Sequence, residues 1–286
     1  MDLINFRNND KKEHSSLIEK VCENLALPES TFLGTRITKK MLIDNNELSS
    51  ADKKLVTVVI QSIEWQNTLK PETINIPVYV TDTVEYIEIA VIRVVLKNDI
   101  KNKAKLKNVA KLLHTLIPYP VILLLEIGEE LAISLADKRI NQADSSKLVI
   151  EHFHSSNWFN AKSLISNEND FLNDFSLKNV SSANYFGLYQ DFISMMVNFE
   201  VSIISHSYVF LNETLNHDDE SRVNLNISQR TNYEKKNILN EINALEAELV
   251  AIRNKLKNES QMNTKLALNL DAKKIKNKLF MLKSHI

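Results

Sequence analysis

Apolar and polar positions alternate in different periods along this chain, and the periods divide it into three regions: 1–160, 161–227 and 228–286. The first region mixes helix and strand signals. His14–Leu27 reads as a helix ending near Pro28, and Ser49 or Ser50 is placed to cap a helix running through Asp52, Leu55, Val59 and Ile63. "LKPETINIP" follows, and its two prolines predict an extended or turned segment. "YIEIAVIRVVL" (86–96) is β-branched, with Ile87, Ile89, Val91 and Val95 on one alternation, and predicts a strand. A helix is expected near 102–117, with Leu106, Val109, Ala110, Leu113, Leu116 and Ile117 as its buried stripe. "YPVILLLEI", Gly128 and "ELAISLA" then read as a β-hairpin with Leu131, Ile133 and Leu135 facing the core, and "KLVIEHFH" (147–154) as a further strand. This order implies an α+β fold: a mixed sheet with flanking helices, expected on one face.

The second region is helical. "YFGLYQDFISMMVNFEVSIISHSYVFLNETL" is apolar on most sides, which predicts a helix buried between other elements. In the third region Ile238, Ile242, Leu245, Leu249, Ile252 and Leu256 step by 4-3-4-3-4, and Leu268, Ala272, Ile275, Leu279, Leu282 and Ile286 repeat the stepping. Such a seam requires a partner helix. Two 19-residue arms, each roughly 28 Å long at 1.5 Å per residue, suit a coiled-coil-like antiparallel hairpin; one continuous helix pairing with another chain is the alternative. The seam residues, Ile275, Leu279 and Leu282 among them, are the expected protein-partner contact.

Composition narrows the chemistry. The 286 residues include three glycines, Gly34, Gly128 and Gly187, too far apart for a glycine-rich phosphate cradle or a dinucleotide fingerprint; no cofactor is expected. Cys22 is the only cysteine, which excludes an internal disulfide and a thiolate zinc cluster and suits a reducing cytoplasm. The N-terminal stretch lacks the apolar segment of a secretory signal, and the run around Val121–Leu125 is far short of a membrane span. Net charge is −1 but uneven: residues 228–286 hold 12 Lys/Arg against 6 Asp/Glu, and residues 151–227 hold 3 against 10.

Candidate contacts follow from the cations. Lys103, Lys107 and Lys111 line the polar face of the 102–117 helix, where a polyanion would offset the clash of lysines with the helix N-terminus. A solvated face is the plainer reading. A second cluster comprises Arg36, Lys39 and Lys40, with Lys53 and Lys54; Trp65, Tyr79 and Tyr86 are stacking candidates, though such aromatics are more often core. In "ISLADKRINQAD" (133–144), Asp137, Lys138 and Arg139 emerge at the end of a strand, as an ion-paired turn or as a phosphate contact. Glu85, Glu88, Asp99 and Lys101 are the acidic and basic groups a metal-dependent nuclease would need, but Asp99 follows the strand that carries Glu88, with no hairpin between them, which sets the geometry against it. His152 and His154 share a strand face beside Glu151, but two histidines without a recognisable third ligand are more often surface or packing residues than a metal site.

The strings "LALPESTFLGTRITKKMLIDN", "ADKKL", "LKPETINIPVY", "IPYPVILLLE" and "SLADKRINQAD", with "INALEAELVAIRNKLKNESQMNTKLALN" near the end, together resemble a bacterial domain-of-unknown-function family, family 4391. The resemblance spans nearly the whole chain. It implies a component of an anti-phage, restriction-like gene cluster encoded near helicases and DNA methyltransferases, and supplies no catalytic residues. The expectation is an accessory, non-catalytic subunit that binds DNA or RNA, a helicase or methyltransferase, or both, with homo-oligomerisation left open.

Overall fold

The computed structural model describes residues 16–44, 48–99, 103–144, 148–215 and 231–284. Its helices are α1 (Leu17–Leu25), α2 (Lys39–Asp44), α3 (Ser50–Val59), α4 (Pro71–Ile74), α5 (Lys103–Leu116), α6 (Ser166–Asp174), α7 (Tyr185–Ser205), α8 (Leu211–Leu215), α9 (Asn232–Asn258) and α10 (Met262–Ser284). The strands are β1 (Phe32–Ile37), β2 (Ile60–Leu69), β3 (Tyr79–Val80), β4 (Glu85–Tyr86), β5 (Ile89–Leu96), β6 (Val121–Ile127), β7 (Glu130–Ile140), β8 (Leu148–Ser155) and β9 (Phe159–Asn160). The fold is α+β, with a mixed seven-stranded sheet followed by a helical C-terminal region.

Sheet order is β1-β2-β5-β6-β7-β8, with β9 pairing the start of β7 and β3–β4 forming a separate ribbon. β5 and β6 are parallel, joined through α5, and the other pairings are antiparallel. These two strands lie at the centre, which explains their unbroken apolar runs: a strand buried on both faces cannot alternate. Alternation instead sorts their side chains. Ile122 and Leu124 point into a core shared with α1, α6 and α7, whereas Val121, Leu123 and Leu125 point into one shared with α3 and α5. Helices therefore cover both faces. The one-face expectation fails because the second layer comes from segments remote in sequence.

Local sequence sets the element ends. Ser16 and Glu19 form a reciprocal capping box at α1, Ser49 caps α3, and Thr231 with Glu234 caps α9. A two-residue turn joins β6 to β7, with Gly128 at φ 61°, where glycine carries no steric cost. The helix expected to run through Ile63 stops at Val59, and Ile60–Leu69 forms β2 instead. The turned segment after Lys70 contains the short helix α4.

β7 does not end at Ala136. It continues to Ile140, so Asp137, Lys138 and Arg139 are strand residues paired with β8, and the turn is Asn141–Asp144. A register shift falls between Asp137 and Lys138.

α10 folds back along α9. Ile242, Leu249, Ile252, Ala272, Ile275 and Leu279 are buried in the seam, with Ile238, Leu245, Leu256, Leu268 and Leu282 packed against them. Glu259 makes the turn without glycine; its Oε1 accepts from the backbone N–H groups of Ser260 and Gln261, each at 2.8 Å. The root of the pair is held to α7 by polar contacts: Asn232 donates to Ser194 Oγ at 2.6 Å, Lys235 to Asn198 Oδ1 at 2.9 Å, and Lys236 to Glu200 at 2.6 Å. Among the described residues, no helix is long and apolar enough to cross a membrane.

Candidate nucleic-acid and partner surfaces

β1 is an edge strand and its residues are largely exposed. It presents Arg36 beside α2, whose first residue is Lys39. Lys39 Nζ donates to the carbonyl of Thr57 in the last turn of α3, at 3.4 Å. Lys97, just beyond β5, donates to the same carbonyl at 3.4 Å. Two ammonium groups thus share one oxygen, with Arg36 nearby. Partial burial lowers the Lys39 pKa first, and the positive charges of Lys97 and Arg36 lower it further. No carboxylate lies within ion-pair distance of these three cations among the described residues. Lys40 is exposed beside them, and so are the apolar side chains of Phe32, Leu33 and Met41. Lys97 was absent from the sequence-based cluster; it lies far along the chain and arrives only through the β2–β5 pairing.

The lysine face of α5 is divided. Lys107 and Lys111 are exposed on the rim of a groove of about 780 Å³ between α5, β8, α7 and the root of α9. The Lys111 ammonium sits 5.5 Å from the centre of the Phe153 ring. The same groove holds Lys236 and Lys283, each neutralised by a glutamate at 2.6 Å, Glu200 and Glu246 respectively. The side chain of Lys103 lies outside the described residues, as does Lys101.

Lys138 is not a surface cation. It is 3% exposed and its ammonium donates to the carbonyl of Ile117, at 2.6 Å, and to that of Tyr119. It thereby satisfies carbonyls left open where α5 ends, and burial pushes its pKa down to about 7. Alternation sends Asp137 to the opposite face, where it accepts a hydrogen bond from Gln190 Nε2 at 2.5 Å and lies 3.9 Å from His152 Nδ1. Arg139 is half-buried opposite Val149. Neither expected reading of this stretch, turn or phosphate contact, describes Lys138.

The groups weighed for a nuclease do not converge. Glu85 lies on β4 and Glu88 just before β5, while Asp99 follows the far end of that eight-residue strand, roughly 26 Å away at 3.3 Å per residue. Among the described residues, no group of three His, Cys, Asp or Glu side chains is arranged to hold a metal ion. Cys22 is half-buried, its thiol 3.6 Å from Gln66 Oε1, and burial raises its pKa, which disfavours the reactive thiolate.

The seam residues assigned above to a partner are buried against one another within the chain. What faces outward on α10 is a different apolar set: Met262, Leu266, Leu270, Phe280 and Met281 are all more than half exposed, interspersed with exposed Lys273, Lys274 and Lys276. Heptad periodicity singles out the seam and is silent about this outer set.

No curated protein and no solved structure matches the chain. Residues 25–279, from the end of α1 to the last full turns of α10, match the family model described as a domain of unknown function (DUF4391), and over that span the chain belongs to this family.

Proposed function

We propose that the chain is a non-catalytic accessory subunit of a bacterial anti-phage, restriction-like system, one that contacts nucleic acid and a helicase or DNA methyltransferase partner. The observation that supports this best is the convergence of Arg36, Lys39 and Lys97 with no carboxylate at ion-pair distance among the described residues; Glu64, opposite Arg36 on β2, does not reach it. Like charges held together at an exposed edge are unfavourable until an anion joins them, and a phosphodiester backbone supplies repeated anions. Lys40 extends this basic surface, and Lys107 and Lys111 on α5 form a separate basic rim beside β8. The partner contact falls to the outer face of α10, since the seam is already filled. Glu88 and Asp99 lie at opposite ends of β5, which counts against that pair as the acidic site of the nuclease reading.

Fluorescence anisotropy with a labelled mixed-sequence duplex and a single strand tests the nucleic-acid half. Wild-type protein is expected to bind in a salt-sensitive way and to leave the strand intact with Mg²⁺ or Mn²⁺. The triple variant Arg36→Glu, Lys39→Glu, Lys97→Glu is expected to lose at least tenfold in affinity and to show a shallower salt slope. Equal affinity for the variant, or metal-dependent cutting by the wild type, would contradict the reading.

A further inference from the structure

A second cavity, of about 350 Å³, lies between β7, β8, α7 and the first turns of α9, and the proposed backbone contact does not use it. Its volume is at the small end of ligand pockets, which span roughly 300–1,000 Å³. His154, 3% exposed, is among its lining residues, and neither ring nitrogen has a hydrogen-bond partner. An unpaired buried polar group is costly, so a natural structure seldom keeps one without a use. Burial, then the charges of Lys236 and His152, push its pKa down to about 3, so the ring is neutral and offers one donor and one acceptor. Asp137 is the second polar group. Gln190 holds one of its oxygens, and Tyr86 lines the cavity beside it. Phe186 and Tyr233 give the cavity aromatic walls, and Tyr233 meets His152 edge-on with centroids 6.4 Å apart.

These groups select among ligands. Two cations also line the cavity, but Lys236 is paired with Glu200 and the Lys138 ammonium is turned to the carbonyls of Ile117 and Tyr119, so an anion would meet the carboxylates of Asp137 and Glu151 without a free cation to hold it. A simple cation carries only donors and would leave the N–H of His154 unpaired. A neutral flat ring with both donors and acceptors on its edge satisfies the imidazole and the carboxylate and stacks on the walls. We propose that this cavity binds a nucleobase, its ring against Phe186 and Tyr233, with Asp137 accepting from its N–H groups and His154 completing the hydrogen bonds. The base belongs either to a free nucleoside or to a nucleic-acid strand.

Isothermal titration of the full chain with adenosine, guanosine, cytidine and uridine, and with a mixed-sequence single-stranded oligonucleotide, separates the two sources. One-to-one saturable binding of at least one nucleoside is expected, at least tenfold weaker in Asp137→Asn and in Tyr233→Ala, with a shift of the His154 ring nitrogen resonances on binding. Tyr233 is 65% exposed, so its removal leaves the core intact, which circular dichroism checks. Oligonucleotide binding weakened by both variants, without nucleoside binding, would support the site with a strand as its source. No saturable binding of any probe, affinity unchanged in both variants, or choline binding in place of the nucleosides would overturn the proposal. The cavity is on β7–β8 and the cationic cluster on β1, at opposite ends of the sheet order. Nucleoside binding that survives the Arg36, Lys39 and Lys97 reversal therefore separates the two readings.

Discussion

The sheet body and the helical hairpin bury their apolar residues to different depths. In the body, Ile92, Leu123, Leu124, Ile133 and Phe192 are completely enclosed between helices and sheet. In the hairpin, the best-covered seam residues other than Ile242 keep a sliver of solvent contact: Leu249 is 7% and Leu279 8% exposed. Two helices have one contact line, whereas three layers have two continuous interfaces. The hairpin also leaves Met262 79% and Phe280 75% exposed, more than any apolar side chain of the body that is described. The body stabilises itself; the hairpin invites a cover.

The comparison breaks most readily at the seam. Leu249→Glu with Leu279→Glu places two carboxylates in the apolar seam joining α9 and α10. The 27- and 23-residue helices are expected to lose most of their helical circular dichroism while the tryptophan environment of the body is retained. Loss of both signals together would mean that the hairpin and the body fold as one unit.

A smaller effect separates core depth. Leu124→Ala in the sheet is expected to cost about 3–5 kcal/mol in denaturant unfolding, near the top of the range for buried leucine. Leu249→Ala should cost about 2 kcal/mol, because a thin seam relaxes and readmits water. Equal costs would remove the distinction.

Buried bases give the body a pH dependence that the hairpin seam lacks. His114 is enclosed between α5 and β7 and His154 between β8 and α9, and burial lowers both pKa values, that of His154 to about 3. The unfolded chain binds their protons near pH 6.5 and the folded chain does not. Stability therefore falls as pH drops from about 6.5 towards 3, by up to about 1.4 kcal/mol per pH unit for each group. His154→Gln is expected to flatten this slope measurably, and an unchanged slope would show that the imidazole is not held neutral. Lys138 acts in another window: its pKa, lowered to about 7, makes stability rise with pH between about 7 and 10.5 relative to Lys138→Met.

The smallest effect is on the hairpin surface. Lys278 reaches Glu241 at 2.7 Å and Lys283 reaches Glu246 at 2.6 Å, but all four side chains are well exposed. Lys278→Met is expected to change stability by less than about 1 kcal/mol, and less again in high salt.

Much of the body could be read from the chain. The apolar runs of β5 and β6, the turn at Gly128 and the stripe of α5 each follow from local period and turn chemistry. β2 could not: "IQSIEWQNTL" mixes polar and apolar groups because its faces are only half-covered, and Leu55, Val59 and Ile63 extend the preceding helical period into it. Lys138 was misplaced for a related reason. A charged trio looks like a strand end, yet alternation from Ala132 through Ser134 and Ala136 leads to Lys138 on the buried face under α5. The cationic cluster was half visible, in Arg36 and Lys39, while Lys97 required knowledge of which strands pair. The unpartnered ring of His154 left no trace in the sequence, because a histidine two residues from another is compatible with surface, core or ligand.

On the proposed function, nucleic acid docks on the body and a protein partner on the outer face of the hairpin. Affinity capture from a bacterial host encoding the chain, with and without nuclease treatment, tests this most directly when the wild type is run beside the Arg36, Lys39 and Lys97 reversal and beside Leu266→Glu with Phe280→Glu. A helicase or methyltransferase that survives nuclease, persists with the reversal and is lost from the hairpin variant is the predicted result. A partner that disappears with the nucleic acid, or that the hairpin variant retains in full, would contradict it.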